Sequence, residues 1–304
     1  MPRSHAQQGF VLPMTLIILA LLTTLSMGLS QMARHAIADV QHRQAVFDQE
    51  LLMKSAAQRA LYYLLIGVPK PRTFVSNDFT LAVDGQWQSW DDVKISIQDA
   101  AGLMGLAMYN QSAFERLLTT YLSQSDATTI AAQLGDWMDE DSFTRPYGME
   151  TNDYLKASMP MLPRDGLLRS LDGLLELPAI TPELFNATDR ADGVDGVLGL
   201  RDLLLAGGAD YFNPATAPDI LMLPMLGGAN NKSILSLKKK HDWASMKKLF
   251  PSRAGFDVEY SPAYTFVFRF RSAGMTGRAM YRLAPAKTVP YQLIMWQYPD
   301  HVRG

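Results

Sequence analysis

Six carboxylates crowd one short stretch of the chain: Asp136, Asp139, Glu140, Asp141, Glu150 and Asp153. They sit where a helix end runs into a loop. Hard cations such as calcium take oxygen ligands, six to eight at about 2.3–2.6 Å. The competing reading is a solvated acidic helix end, capped by Asp136 or Asp141. A second acidic group, Asp189, Asp192 and Asp195, has Gly193 and Gly196 beside it. It lacks the frame of an EF-hand loop and reads as a turn.

Other chemistries find little support. The chain has no cysteine, which removes disulfides, thiolate metal sites and cysteine nucleophiles. His5, His35, His42, His241 and His301 are scattered, and no pair has metal-ligand spacing. There is no Gly-x-Ser-x-Gly frame. Gly227 to Ser233 ends like a phosphate loop, but Asn231 stands where a glycine should precede the lysine and Leu226 replaces the first glycine. Lys238, Lys239, Lys240, Lys247 and Lys248 form a basic patch, read as a solvated face or a partner surface. A net charge of −2 gives no global attraction to nucleic acid. No catalytic site is expected.

The N-terminus offers a different kind of site, a processing junction. Arg3 lies in a short polar segment that ends at Gly9-Phe10, and an uncharged run then extends to Ala33 before Arg34. About 24 such residues, rising ~1.5 Å each, can cross a ~30 Å hydrocarbon core as a helix. Three readings compete. One is a cleaved secretory signal, for which Ala20 and Ser26 offer only loose cleavage matches. Another is a plain anchor. The third is a leader, residues 1–9, cut off after Gly9 with the apolar helix retained from Phe10 onward.

Most of the remaining chain is legible as elements. From Gln31 to Leu65 there is no proline or glycine, and Ile37, Val40, Gln44, Phe47 and Leu51 recur at three- and four-residue steps. This predicts one helix from Phe10 to about Ile66, ~85 Å long, stopped by Gly67-Val68-Pro69. Its first half is apolar all round; its amphipathic second half is expected to pack on a core. Phe79–Val83 alternates, Asp84-Gly85 reads as a hairpin turn, and Gln86–Trp90 returns. Val93, Ile95 and Ile97 alternate with polar residues. Residues 113–250 read as short helices, for example Phe114, Leu117 and Leu118, then Ile130, Leu134 and Trp137. Phe266, Phe268 and Phe270 restore strand alternation. Arg278–Leu283 follows, and Val289–Tyr298 carries Pro290, which suggests an edge strand or an early position in it. The fold class is α+β: a long N-terminal spine helix plus an antiparallel sheet, with a large inserted all-α domain. Residues 10–33 are the membrane half of the spine, 34–98 and 255–304 the α/β domain, and 99–254 the insert.

The insert holds a weak repeat. Asp99–Asn110 and Asp210–Pro218 each lead into a helix, and Leu175–Ile180 and Met222–Gly227 resemble helix-hairpin-helix turns. Those turns lack the usual glycine pair and sit among acidic residues, so helix packing is the reading and no nucleic-acid partner is expected.

These pieces together resemble a known family. The Gly9-Phe10 junction, Leu134-Gly135-Asp136-Trp137-Met138-Asp139-Glu140-Asp141, Arg145-Pro146-Tyr147-Gly148-Met149-Glu150, Asp153-Tyr154, Glu176-Leu177-Pro178 and Phe212-Asn213-Pro214-Ala215-Thr216-Ala217 are similar to the phrases of the K-type minor pseudopilin of type II secretion. Ala179 replaces a usual glycine, and Pro214-Ala215 interrupts an Asn-Thr-Ala phrase. The resemblance implies a type IV pilin-like fold. It also implies cleavage by a prepilin peptidase between Gly9 and Phe10, with N-methylation of Phe10. It places the protein in the bacterial inner membrane, single-pass, with its bulk in the periplasm. It implies calcium in the insert. Its partners would be I-, J- and H-type minor pseudopilins, the major pseudopilin and the inner-membrane assembly platform. Its role would be to cap the tip of a short filament that helps export folded proteins. Most pilins carry a glutamate at the fifth mature residue, where Met14 stands here. That glutamate pairs with a neighbouring subunit; a tip subunit has no neighbour ahead, and an unpaired charge in lipid is costly. Alternatives are a membrane-anchored periplasmic binding protein or hydrolase, or a minor pilin of a type IV pilus.

Overall fold

The computed structural model of the chain describes residues 11–186, 198–227, 231–249 and 257–300. It begins with helix α1, Val11–Ile66. Residues up to Leu52 and residues from Met53 form two compact units. In the first, the side chains of Leu16, Ile17, Leu21, Leu22 and Leu25 are exposed all round the helix. The threonines in this run hide their hydroxyls on backbone carbonyls one turn back, Thr15 on Leu12 and Thr23 on Leu19, so the surface presented is almost wholly apolar. A window of α1 reaches mean hydropathy 2.0 with none of it buried. By length and composition this helix suits a single-pass membrane anchor. The stripe of Ile37, Val40, Phe47 and Leu51 was expected to pack on a core; all four side chains are exposed.

The core-packing face of α1 starts later, at Met53, Ala57, Ala60, Leu61 and Leu64, all buried at helical spacing. Gly67 closes the helix by donating its N–H to the Tyr63 carbonyl, 2.9 Å. Three short antiparallel strands follow: β1 (Val68–Pro69), β2 (Thr73–Val75) and β3 (Thr80–Ala82). Then come β4 (Asp84–Trp90) and β5 (Val93–Asp99) of a second sheet.

The expected hairpin through Asp84-Gly85 is therefore corrected. β3 pairs with β2, and β4 pairs with β5 around Asp91-Asp92. Gly85 lies inside β4, at a register break between Asp84 and Trp87, with φ +80°. It is a bulge glycine rather than a turn glycine. The turn residue is Asp91, at φ +52°.

After β5 the chain leaves the sheet. It passes through β6 (Met104–Gly105), α2 (Gln111–Leu118), α3 (Gln124–Met138), α4 (Thr151–Lys156), α5 (Pro182–Phe185), α6 (Leu200–Leu203) and β7 (Leu204–Leu205). It continues through α7 (Asp219–Leu226), α8 (Asn231–Lys239) and α9 (Trp243–Leu249). β6 and β7 form a two-residue parallel pair, and Phe212 adds a single parallel bridge to Val258; the other named elements between β5 and β8 are helices. The chain then re-enters as β8 (Thr265–Ser272), β9 (Met275–Leu283) and β10 (Tyr291–Gln297). The five-stranded antiparallel order is β10-β9-β8-β5-β4. β10 is an edge strand, as Pro290 suggested.

The sheet is covered on both faces. Phe266, Phe268 and Phe270 point to the α1 side, where they join Ala57, Leu61 and Ile95 in one core. Val267 points the other way, into the insert's core of Phe114, Ile130, Leu134, Trp137 and Leu203. Several polar positions of the strand period are consequently buried too, while Lys94 and Arg271 stay exposed. Ser96 and Gln98 are buried and bonded, Ser96 to the Gly85 carbonyl (2.6 Å) and Gln98 to that of Thr216 (3.0 Å). Arg278 is buried, donates to Asp202 at 3.2 Å, and is held by the Arg201 carbonyl. Burial pushes its pKa down against the attraction of Asp202. Arg269 reaches the same carboxylate at 3.3 Å.

Candidate metal centre in the inserted domain

The acidic stretch forms where α3 ends. Ser123 caps the start of that helix by accepting the Asp126 N–H. Its apolar face, Ile130, Leu134 and Trp137, is buried in the insert core. One turn of helix thereby aims Asp136 and Asp139 into the loop that follows. Asp136 is fully buried. Its carboxylate accepts from Arg145 Nη1 (2.7 Å) and from the Arg145 backbone N–H (3.2 Å). The same guanidinium bonds Asp139 Oδ2. Asp136, and then Asp139, hold the Arg145 guanidinium well above its ordinary pKa. The pair folds the loop back over the helix end. Gly148 makes the fit possible: a Cβ there would stand 1.9 Å from Asp136 Oδ2.

Of the six carboxylates, three converge. Asp139, Asp141 and Glu150 bring one oxygen each within 4.8 Å of one another. Glu150 is buried, and its Oε1 has no hydrogen-bond partner among the described residues; the same holds for Asp139 Oδ1. Burial, followed by the charges of Asp136 and Asp139, raises the pKa of Glu150. An anion placed so is unfavourable unless a cation joins it.

The other three do different work. Asp136 is the structural anchor. Asp153 accepts the Glu150 backbone N–H (3.3 Å) at the start of α4 and pairs with Lys156. These contacts, the backbone bond first, lower its pKa. Glu140 is exposed and stands outside the converging group. Neither Asp136 nor Asp141 caps α3: the cap at its C-terminal end is Asp139, through its backbone N–H to Gly135.

The converging set fits a hard divalent cation. Its donors are all carboxylate oxygens, and three carboxylates can supply up to about six of the six to eight oxygens calcium takes. The two orphaned oxygens are the ones such an ion would satisfy. Arg145 was not singled out as a site residue by its type or spacing. The signal was present, since a lone arginine nine residues from a buried aspartate is the natural counter-ion.

A second polar centre escaped the sequence reading. Asp99, buried at the end of β5, accepts four hydrogen bonds: from the N–H groups of Ala101 (3.1 Å) and Ala263 (2.8 Å), from Asn213 Nδ2 (3.1 Å) and from Thr216 Oγ1 (2.8 Å). Burial pushes its pKa up to about 6, against the pull of those bonds. The two arms of the weak repeat, at Asp99 and Asn213, thus meet in space and tie the insert to the sheet. Gly9 and Phe10 lie outside the described residues, as do Asp189, Asp192 and Asp195.

Residues 97–190 match the family model for protein K of the type II secretion system. This inserted segment is a type II secretion protein K domain. It starts within β5 and contains all six carboxylates, Asp136 through Asp153, together with Arg145 and Gly148. The fold extends the likeness beyond the protein K domain. A chain in the crystal structure of the GspK-GspI-GspJ complex from the enterotoxigenic Escherichia coli type 2 secretion system matches at TM-score 0.51 and 15% identity. The match covers 84% of this chain and 98% of that one. No curated protein matches the chain in sequence.

Proposed function

We propose that the protein is the K-type minor pseudopilin that caps the tip of a type II secretion pseudopilus and supports export of folded proteins across the outer membrane. The observation that carries this reading is the position of the protein K domain: it interrupts an antiparallel sheet packed on the end of a long apolar-headed helix. That is the layout expected of a pilin-type subunit enlarged by an insert. Its role is assembly rather than catalysis.

In this reading a prepilin peptidase cuts after Gly9, and Phe10 becomes the methylated N-terminus. The apolar half of α1 sits in the inner membrane and the rest lies in the periplasm. Met14 replaces the pilin glutamate, which suits a subunit with none ahead of it. The partners are I-, J- and H-type minor pseudopilins, followed by the major pseudopilin and the assembly platform. Asp139, Asp141 and Glu150 hold calcium, with Asp136 and Arg145 fixing the loop around it. The bound ion supplies charge compensation and ties α3 to the loop before α4.

Co-expression of the full chain with its host's I- and J-type subunits tests the assignment. A ternary complex that co-purifies from detergent is expected. Failure to co-purify under conditions where I and J still bind each other would count against it.

A further inference from the structure

The loop that carries the converging carboxylates also carries two aromatic side chains in the open. Phe143 is 84% exposed and Tyr147 72% exposed. Each is tied to the cluster. The Phe143 N–H donates to Asp141 Oδ1 at 2.8 Å, so a carboxylate of the converging set also sets the Phe143 backbone. Tyr147 is the third residue of a tight turn, Arg145-Pro146-Tyr147-Gly148, closed by the Gly148 N–H to the Arg145 carbonyl at 2.8 Å. With proline second, a third residue at positive φ defines the turn type that normally takes glycine there. Tyr147 occupies it at φ +68°. A bulky residue in the left-handed region is an outlier, and such strain is retained where a side chain has work to do. Here the turn spends it on holding a phenol ring out in water.

We infer that Phe143 and Tyr147 form a docking element for another protein, one with an apolar pocket rimmed by lysine or arginine, and that cation binding by Asp139, Asp141 and Glu150 sets its geometry. The charge around the rings selects this occupant. Asp136, Asp139, Glu140, Asp141, Glu150 and Asp153 face only Arg145 and Lys156 within residues 136–156. The loop therefore stays acidic even with a divalent ion bound. An anionic lipid surface would be repelled. A second copy would set carboxylates against carboxylates. Aromatic anchors inside a charged rim are the usual make-up of the energetic centre of a protein interface. The gating half of this inference rests on the metal reading given above; the exposure of the two rings and the left-handed backbone at Tyr147 do not.

The test is photo-cross-linking with the full-length protein in its host. A photoreactive phenylalanine is placed at position 143, at 147, and at exposed Tyr264 as a control. The expected result is a cross-link from 143 and 147, but not from 264, to one identified protein whose contact peptide contains basic and apolar residues. Chelation of divalent cations, or Asp141→Asn, should abolish it. Cross-links to lipid or to itself, or equal yield at 264, overturn the docking element. Yields that persist unchanged in chelator overturn the gating. Calcium-dependent thermal unfolding of the wild type and of Phe143→Ala is read separately. The same calcium shift in both is expected, and a lost shift in Phe143→Ala overturns the separation of docking from binding. No shift in the wild type sinks the metal reading itself.

Discussion

Replacing Arg145 by methionine removes the guanidinium that bonds both Asp136 and Asp139 while keeping most of the side-chain volume. Asp136 is fully buried, so its carboxylate is left without a counter-charge. Breaking a buried ion pair from one side costs about 3–5 kcal/mol. Two features reduce that figure. The Arg145 side chain is 33% exposed, and its backbone N–H still reaches Asp136. A loss of about 2–3 kcal/mol remains. For a unit the size of residues 53–304, that lowers Tm by roughly 5–10 °C. The assay is calorimetric unfolding of the full chain in detergent at pH 7 with chelator. Calcium gives a second reading. The variant loses the contacts by which Arg145 fixes the loop around the converging carboxylates, so it should gain less Tm per increment of calcium than the wild type. A Tm loss under about 2 °C, or equal calcium shifts in the two proteins, would refute the argument that Arg145 is the counter-ion that fixes this loop.

Further outcomes follow from the same geometry. Gly148→Ala puts a Cβ against Asp136 Oδ2, so it should cost about 1–3 kcal/mol and weaken calcium-dependent stabilisation, read by thermal shift. Glu150 has its pKa raised in the folded state, so the folded apo-protein holds that proton more tightly and loses stability as pH rises through the window above the unfolded value. Glu150→Gln should accordingly raise Tm in chelator near pH 7 and abolish the gain from calcium. Asp99 titrates at about 6 when folded, so stability should likewise fall from roughly pH 4 to pH 6. Asp99→Asn removes that slope but turns an amide toward Asn213 Nδ2 and Thr216 Oγ1, costing about 1–3 kcal/mol by urea titration.

The sequence was most informative where one period ran without interruption. The long helix, the Phe266-Phe268-Phe270 face and the edge strand after Pro290 are all readable from spacing and propensity alone. Errors arose where a covering element decided the outcome. Ser96, Gln98, Arg269 and Arg278 occupy positions that a two-residue period assigns to water, yet the insert lies over that face and they are bonded there instead. The apolar stripe from Ile37 to Leu51 looks like a core face and is exposed, while the packed face begins at Met53. Asp-Gly after β3 carries the chemistry of a turn, but a bulge uses the same positive φ. In the acidic stretch, residue type located the cluster and could not divide it. Only the fold separates the ion-paired Asp136 and the helix-starting Asp153 from the converging Asp139, Asp141 and Glu150.

In the proposed function, the opening helix belongs to a processed pilin-type subunit. Intact mass spectrometry of the N-terminus, from host cells with and without the prepilin peptidase, tests it most directly. A chain beginning at N-methylated Phe10 is expected when the peptidase is present, and an uncut leader when it is absent. A chain that keeps Met1 to Gly9 in both strains, or one cut near Ser26, would contradict it.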